Sequence, residues 1–545
     1  MDRKRQLHES RDSWKSKSVA ARAAVRQLNK DKRRLAKDRD RYKEIARNAI
    51  AELEEERKRA AVVAAVKTKE DLVYLALKLF RDARLGFRAV ARVLEVLSDV
   101  LGLDVHACAQ TIINWVARLA IVRIQCYASS ANASPRLTPF SNGTVWLIDI
   151  SIALGSAKIL TVIAINIRHY ADHDEAPTLL DYQCVAVAVA ETWNGQSEAD
   201  FLERVIAVTG RPAALLMDGG KDLGKSVRDL AAKGIQIPAI DDVSHIVANL
   251  LKHEYEEHAS FQPFMTACGQ ASKKLKQTIL AFLAPPKISM KGRFMNFHRL
   301  VRWAEQILQH SPRGRAASGS HLEKLRNALA GLPEHKPFLN NFLRDAVPLL
   351  DCMKLVKNEG LSHKTWAQCR HIIEPIPNTS PVRTGFVDWG DRMVAVAKRL
   401  GVGRIGMPVA TDGLESLYSV GKRHGTGEIQ DANRIAARLP VECGPITRED
   451  ARRVLRVSVR EQEEVMGDLP SLLRQRCRIL PNPGSLQELA LDPGKHLELL
   501  PQAKSREKTA NVADISARCS KAACHPADIR EHEKPSATSA SPMAG

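Results

Sequence analysis

The spacing of apolar residues changes twice along the chain, and this change limits the fold more than any single motif does. Apolar positions follow a helical spacing up to about residue 122, form β-branched runs between residues 145 and 240, and return to a helical spacing from residue 247 to about 409. A helix repeats every 3.6 residues and a strand every two, so one pattern does not fold as the other. The 545 residues therefore predict several domains, with a β-containing unit between helical segments.

The β-containing segment has a definite order of elements. Two helices, one opened by Ser197 and one from about residue 223 to 233, separate the last three of five apolar runs. These runs are predicted as strands at residues 145–151, 157–167, 182–190, 213–217 and 237–240. Hairpins followed by βαβ crossovers build a mixed sheet with helices on its faces. We therefore predict a multidomain α and α/β fold with a five-stranded mixed sheet.

Residues 1–66 are predicted to form one long basic helix. Apolar side chains recur there every seven residues, as in one seam of a coiled coil, at Leu7, Trp14, Ala21, Leu28, Leu35, Tyr42 and Ala49. Residues 1–60 hold 20 lysines and arginines and 11 acids, a net charge of +9 within the +20 of the whole chain. The pattern predicts a homo-oligomer joined through this arm. The charge predicts a polyanionic partner, either nucleic acid such as double-stranded DNA or an anionic membrane surface. A solvated helix without a partner is the alternative.

A pair of amphipathic helices follows between residues 67 and 125, with a break at Gly102. The outer face of the second helix has groups that can contact base edges, on Gln110, Thr111, Asn114 and Arg118. The arrangement predicts a helix-turn-helix DNA-binding domain. A helical packing module without DNA contact is the alternative. Residues 126–144, rich in Ser, Pro and Asn, are predicted as a loop.

Composition excludes several other classes of protein. No run approaches the ~18 apolar residues of a membrane-spanning helix. The basic N-terminus is not followed by the apolar segment of a secretory signal. Ten cysteines are scattered without a CxxC pair, which is typical of reduced thiols. We therefore expect a cytoplasmic, nucleoid-associated protein.

Two acidic residues lie in predicted strands at positions where their side chains could bind a shared ligand. Asp149 stands inside the first strand, VWLIDIS, where an ionised carboxylate is costly unless it binds something or lies at an exposed edge. Asp218 ends the fourth strand, AALLMDGG, and two glycines let the backbone turn away from it. The first and fourth strands are neighbours in such a sheet, so the two carboxylates are expected to approach closely enough to share divalent metal ions. A strand-end acid and a turn former are the alternatives.

This strand order with its two acids resembles the RNase H-like core of DDE transposases. The third acid is Glu415 in DGLESLYSVGKRHG, and the helix-turn-helix ahead of the core fits bacterial insertion-sequence transposases. Glu415 and Lys422 match the E-x6-K part of one group's signature. Pro408 and Thr411 stand where that signature has Tyr and Arg.

The resemblance implies a metal-dependent transposase that binds the ends of a mobile element, cleaves them and transfers the strands. Asp149, Asp218 and Glu415 would hold two Mg²⁺ or Mn²⁺ ions, which activate the nucleophile and stabilise the leaving oxygen. Lys422 and Arg423 would contact a DNA phosphate. A non-catalytic DNA-binding or architectural protein with an inactive scaffold is the alternative.

Three further residues lie near the same predicted edge of the sheet. Asp242 either caps the helix after the last strand or joins the site, and His245 could contact the substrate or a metal-bound water. Trp193 could stack on an unpaired base or pack in the core.

The predicted domains follow from these patterns. In chain order they are the basic arm at 1–66, the helix-turn-helix at 67–125, the first part of the RNase H-like core at 141–250, an all-helical insertion at 251–410, the final core helix at 411–440, a helical C-terminal region at 441–500 and a disordered tail at 501–545.

Overall fold

The computed structural model describes residues 2–60, 68–101, 106–133, 143–152, 157–288, 293–312, 314–424, 427–428, 432–467 and 496–502. The chain divides into two compact units, residues 1–72 and 73–545. None of the helices in the described ranges combines the length and the apolar character that crossing a membrane requires. The tail predicted at 501–545 lies outside the described residues apart from its first two.

In the first unit, one long helix, α1 (Asp2–Ala60), covers most of the predicted arm. Large side chains of the predicted seam are exposed along it, including Leu7 at 66%, Trp14 at 72% and Tyr42 at 69%. Exposed apolar side chains at seven-residue spacing are the surface that a second copy covers in a coiled coil. Association of copies through α1 stays a prediction.

Beyond α1, the chain combines a helical framework with a sheet. The strands are β1 (Thr144–Ile152), β2 (Lys158–Asn166), β3 (Gln183–Ala190), β4 (Ala214–Met217), β5 (Ala239–Asp241), β6 (Arg423–His424), β7 (Gly427–Glu428) and β8 (Glu498–Leu499). The helices up to the last sheet crossover are α2 (Lys69–Arg81), α3 (Phe87–Leu101), α4 (Ala109–Ala133), α5 (His169–Asp172), α6 (Gly195–Thr209) and α7 (Lys221–Ala232). The later helices are α8 (Val243–Tyr255), α9 (Phe261–Lys276), α10 (Arg293–Gln309), α11 (His321–Leu329), α12 (Lys336–Glu359), α13 (His363–Ile372), α14 (Pro381–Arg399), α15 (Asp412–Lys422), α16 (Ala432–Ala436), α17 (Leu439–Glu442), α18 (Arg448–Arg456) and α19 (Val459–Met466).

The main sheet has the strand order β5-β4-β1-β2-β3-β8. Strands β1, β2 and β3 form an antiparallel meander in which Thr144 lies opposite Asn166 and Ile152 opposite Lys158. Strand β4 pairs in parallel with β1, and β5 pairs in parallel with β4. The C-terminal ends of β1, β4 and β5 therefore meet at one edge of the sheet, which we call the carboxyl edge.

This arrangement confirms the predicted fold class, a mixed sheet among many helices, with one difference in strand number. The sixth strand, β8, has only two residues and pairs with β3 at Val187 and Ala188. Because two residues cannot show a period, the pattern of residues 441–500 predicted helix there instead of a sheet edge.

Helix α4 is longer than the sequence predicted. The loop expected at residues 126–144 begins later, because the helix continues to Ala133. Tyr127 is buried against β1, where its hydroxyl accepts a hydrogen bond from Nε1 of Trp146 at 2.7 Å and lies 3.0 Å from Oγ1 of Thr144. The packing of this aromatic ring favours helix beyond residue 126, and it outweighs the preference of Ser129, Ser130 and Asn132 for turns.

Helices α8 to α14 follow the sheet in the chain and have a buried aromatic cluster of their own. The ring of Phe297 in α10 contacts Phe264 in α9 and Phe342 in α12, with centroids 6.0 and 4.9 Å apart. All three rings are fully buried. Aromatic side chains bury large areas, so this cluster stabilises the helical region independently of the β strands.

The chain returns from α14 to the sheet through residues 407–411. The backbone of Met407 exchanges hydrogen bonds with that of Leu361, each at 2.9 Å. The carbonyl oxygen of Val409 accepts a hydrogen bond from the N–H of Val243 at the start of α8, also at 2.9 Å. These bonds fix the point at which α15 begins.

Gly413 allows α15 to approach the meander. It lies in the first turn of α15 against the ring of Tyr182, the residue before β3, and a Cβ at this position would come within 2.5 Å of a ring carbon. Tyr182 is itself buried, so its ring has no room to retreat. A residue without a side chain is therefore needed at this contact.

We predict that Gly413→Ala lowers the free energy of unfolding by about 1–3 kcal/mol through overpacking against Tyr182. The matched control is Gly269→Ala in the middle of α9, where a Cβ would meet no atom within 4 Å. That variant is expected to gain about 0.5–1 kcal/mol, because alanine favours helix. Chemical denaturation measures both changes. Equal midpoints for the two variants would contradict the close packing of Gly413 against Tyr182.

Candidate active site

Asp149 lies near the C-terminal end of β1, where it pairs with Thr161 of β2. Its half-buried side chain accepts a hydrogen bond at Oδ1 from the N–H of Ile150 at 2.7 Å. Burial raises the pKa of Asp149 to about 6, and the nearby charges of Asp218 and Glu415 act in the same direction. The surroundings therefore disfavour the negative charge of this carboxylate, as is common at functional sites.

Asp218 directly follows β4 and lies at the same carboxyl edge. Its Oδ1 accepts a hydrogen bond from the N–H of Gly220 at 2.8 Å. Gly219 has a φ of 76°, in the left-handed region that glycine adopts easily. The two glycines turn the chain from β4 into α7 and leave the aspartate at the end of the strand.

Glu415 lies in the first turn of α15, which contacts the end of β1. The hydroxyl of Tyr418 donates to the carbonyl oxygen of Asp149 at 2.8 Å, and Nζ of Lys422 donates to Oγ of Ser151 at 2.6 Å. Burial raises the pKa of Glu415, and neighbouring carboxylates add to this effect. Helix α15 thus brings the third acid to the edge that Asp149 occupies.

Asp242 is the N-cap residue of α8, because its Oδ1 accepts hydrogen bonds from the N–H groups of Ser244 and His245. Its Oδ2 accepts from the N–H of Thr411 at 2.8 Å and from the Thr411 hydroxyl. Burial alone would raise the pKa of Asp242, yet His245 and Thr411 lower it to about 2. Asp242 therefore remains ionised and acts as a capping residue.

The acids at the carboxyl edge share one electrostatic environment. Contact with Asp242 raises the pKa of His245, and the charges of Asp218 and Glu415 raise it further. Within the described residues, no choice of one oxygen each brings Asp149, Asp218 and Glu415 all within 4.8 Å of one another. Their oxygen donors suit Mg²⁺ or Mn²⁺, and a cation would relieve the repulsion that contributes to the raised pKa of Asp149. The donor type of these residues therefore suits such an ion, while the three carboxylates as placed do not all reach a single one.

A fourth carboxylate lies near the same edge, and sequence reasoning missed it. Glu198 in α6 is fully buried, and neither of its carboxylate oxygens has a hydrogen-bond partner within the described part of the chain. Burial raises the pKa of Glu198 to about 7, with the charges of Asp222 and Asp218 contributing. The cap predicted at Ser197 is also corrected, since Asn194 is the N-cap and accepts from the N–H of Ser197. The overlooked signal is spacing, because Glu198 begins the buried face that continues with Phe201, Leu202 and Val205.

The remaining candidates near the edge take different positions. Trp193 packs in the core, with its Nε1 donating to the carbonyl oxygen of Lys158 at 3.2 Å and its ring edge-on to Phe201. Lys422 contacts β1 through its bond to Ser151. Arg423 is exposed at the start of the β6–β7 hairpin. Of these, Arg423 has a side chain positioned to meet a ligand from solvent.

Part of the outer face of α4 is covered by α19. Nε of Arg118 donates to Oε1 of Gln462 at 2.8 Å, and Nε2 of Gln462 donates to Oδ1 of Asn114 at 3.1 Å. Gln110 is exposed and Thr111 half-buried one turn earlier. Asn114 and Arg118 are therefore bonded to a helix that is distant in the sequence. Gln110 and Thr111 make local contacts, since Nε2 of Gln110 donates to Oδ1 of Asn114 and Oγ1 of Thr111 lies beside Sγ of Cys108, each at 3.2 Å.

Comparison with known proteins adds a distant structural likeness. No family model and no curated protein matches the chain. Among solved structures, the chain aligns with one described as "Drosophila P element transposase strand transfer complex" over 72% of this chain and 97% of that one, with 11% identity and a TM-score of 0.38. A similarity this low leaves the functional inference to the geometry of the site.

We predict that Asp242→Asn lowers the free energy of unfolding by about 2–4 kcal/mol, because its amide nitrogen cannot accept the hydrogen bonds that Thr411 or the first turn of α8 donates. The adjacent Asp241→Asn is the control. The Asp241 carboxylate pairs at 3.3 Å with the exposed Arg392, so its loss should cost less than about 1 kcal/mol. Chemical denaturation of both variants measures these losses. Similar losses of unfolding free energy would show that the hydrogen bonds of Asp242 do not connect α8 to residue 411 as proposed.

We predict that Glu198→Gln stabilises the protein at pH 8.5 by about 1–3 kcal/mol and has a much smaller effect at pH 4.5. The raised pKa means that the native state holds the proton more tightly than the unfolded chain does. Stability is therefore lost as the pH rises from about 4 to about 7, and the glutamine variant avoids this loss. Thermal unfolding at the two pH values measures it.

The control for Glu198→Gln is Asp200→Asn on the same helix. Asp200 is exposed and pairs with Lys233 at 2.7 Å, so its loss should leave stability unchanged or slightly lower at both pH values. A Glu198→Gln variant with the same pH profile as the wild type would show that the carboxylate is not destabilising.

Proposed function

We propose that the chain is a DNA transposase of the bacterial insertion-sequence type, with Asp149, Asp218 and Glu415 as its DDE carboxylates. The observation that carries the proposal is their convergence on one edge of the sheet from three separate parts of the chain. Asp149 comes from β1, Asp218 from the end of β4, and Glu415 from α15, which follows helices α8 to α14 in the chain. Burial raises the pKa values of Asp149 and Glu415, and buried carboxylates crowded at a sheet edge are typical of functional sites.

The edge suits phosphodiester chemistry. Mg²⁺ or Mn²⁺ bound there would supply activation of a water or a 3′-hydroxyl and stabilisation of the leaving oxygen. In this proposal Asp149, Asp218 and Glu415 would hold the ions. His245, whose raised pKa favours its positive charge, limits the repulsion among the acids and can contact a DNA phosphate.

DNA is the proposed partner. The basic arm, with its net charge of +9 over residues 1–60, would contact phosphates and make binding dependent on salt. Gln110 and Thr111 are the residues of α4 that would meet base edges, and Arg423 would meet a phosphate beside the acids. A second copy joined through α1 would allow two element ends to be held together.

Purified full-length protein is expected to nick a supercoiled plasmid that contains the DNA flanking its reading frame, in Mg²⁺ or Mn²⁺ and not in EDTA. Asp149→Asn and Glu415→Gln should each lower the nicking rate by at least about 100-fold, because a bound metal contributes several kcal/mol to the transition state. Asp200→Asn, an exposed acid on α6, should nick at the wild-type rate. Gel electrophoresis of the plasmid forms measures all three.

Binding to a labelled duplex from the same flanking DNA separates catalysis from folding. Both carboxylate variants should bind it as the wild type does. Wild-type protein that binds this duplex but leaves the plasmid intact in either metal would instead identify a non-catalytic DNA-binding protein.

A further inference from the structure

The connection between β2 and β3 contains two histidines and an aspartate whose ligand atoms converge. One ring nitrogen each of His169 and His173 and one carboxylate oxygen of Asp181 all lie within 4.8 Å of one another. The two imidazole rings stack with centroids 4.6 Å apart and 18° between their planes. Among the described residues, these three are the group of His, Cys, Asp or Glu side chains whose ligand atoms all lie within 4.8 Å of one another.

This group is separate from the candidate active site. Strand β2 ends at Asn166, which pairs with Thr144 at the beginning of β1. The connection after β2 therefore lies at the edge of the sheet opposite to the one that Asp149 and Asp218 occupy. Any ion bound there is independent of the ions proposed for DNA cleavage.

The local structure orients all three side chains. His169 begins α5, and His173 follows its last residue at i+4, so both side chains lie on the same face of the turn. Oδ2 of Asp181 accepts hydrogen bonds from the N–H and the hydroxyl of Thr178, at 2.7 and 2.8 Å. Nε2 of His169 lies 3.3 Å from the carbonyl oxygen of Glu175. Metal-bound histidines usually donate their other ring N–H to such a carbonyl, which leaves Nδ1 to coordinate.

We propose that His169, His173 and Asp181 bind one transition-metal ion of the Zn²⁺ type. Two imidazoles and one carboxylate form a donor set that suits Zn²⁺, Co²⁺ or Ni²⁺, whereas Mg²⁺ prefers oxygen donors alone. Three protein ligands and a water complete a tetrahedral shell. Ligand atoms on one Zn²⁺ lie roughly 3.4 Å apart, so closure moves them by on the order of 1 Å. His173 is exposed, and rotation of its side chain supplies such a movement.

Binding at this group would close the β2–β3 connection, because His169 lies just after β2 and Asp181 just before β3. Two tyrosines in the connection support the helical region. The hydroxyl of Tyr170 donates to the carbonyl oxygen of Lys357 at 2.7 Å, and the ring of Tyr182 lies against Gly413 in α15. A bound metal would therefore also stabilise the contacts of this connection with the start of the Glu415 helix, while its fourth position stays open to water.

Titration of EDTA-treated, dialysed full-length protein with Zn²⁺ tests the proposal by calorimetry, with Co²⁺ absorption as a second readout. We expect the wild type to bind one more equivalent than His173→Asn does, and to show tetrahedral Co²⁺ bands that the variant lacks. Affinity at this site should fall by more than the roughly 10- to 100-fold that loss of a ligand's hydrogen-bond partner causes. Zn²⁺ should raise the thermal midpoint of the wild type, and excess Mg²⁺ should not displace Co²⁺ from the site.

Two variants complete the design. His371→Asn removes an exposed histidine of α13 that pairs with Glu374, and it should bind Zn²⁺ as the wild type does. Asp181→Asn should lose the same equivalent as His173→Asn. Far-UV circular dichroism checks that each variant is folded. Equal Zn²⁺ stoichiometry and affinity in the wild type and His173→Asn would overturn the proposal, whatever the result of the nicking assay.

Discussion

The carboxylate of Asp242 connects two parts of the chain that are 169 residues apart. One oxygen caps α8 and the other accepts two hydrogen bonds from Thr411, the residue before α15. With only 1% of its surface exposed, this charge has no water to replace a lost partner, so its protein donors must all be present together. The position of α15, and with it that of Glu415, depends on these hydrogen bonds, because they connect the end of β5 and the start of α8 to the residue before α15.

The carboxyl edge combines this stabilising charge with destabilising ones. Asp242 has a lowered pKa because donors surround it, whereas Asp149 and Glu198 have raised pKa values because burial and neighbouring acids disfavour their charge. A fold gains no stability from crowding carboxylates in this way, and such conflicts concentrate where a ligand supplies the missing charge. Asp242 therefore stabilises this edge of the sheet in its ionised form, whereas the surroundings of Asp149 and Glu198 disfavour their negative charge.

Much of the sheet was predictable because its signals are local. Asp149 stands out within an apolar strand, and Asp218 precedes two glycines, so the first could be placed inside β1 and the second at the end of β4 from the sequence. Glu198 was overlooked, although its place at the start of an apolar helical face is also a local signal. Strand β8 could not be found, since two residues carry no period.

The contacts on the outer face of α4 could not be predicted from its own sequence. Its amide and guanidinium groups suggested contact with bases, but Asn114 and Arg118 bind Gln462 of α19. A polar face on a helix has the same pattern whether DNA, water or another helix meets it. The length of α4 also depends on a distant contact, because Tyr127 accepts a hydrogen bond from Trp146 in β1.

The sequence by itself determined five strands of the main sheet, most of the helices and the acids of β1 and β4, because hydrophobic period and turn chemistry act over a few residues. Only the tertiary structure decided that Glu415 lies close enough to Asp149 to raise its pKa, that Glu198 is buried without a charged partner bonded to it among the described residues, and that His169, His173 and Asp181 converge at the opposite edge. These outcomes depend on the free energy of contacts between segments far apart in the chain, which no local pattern contains.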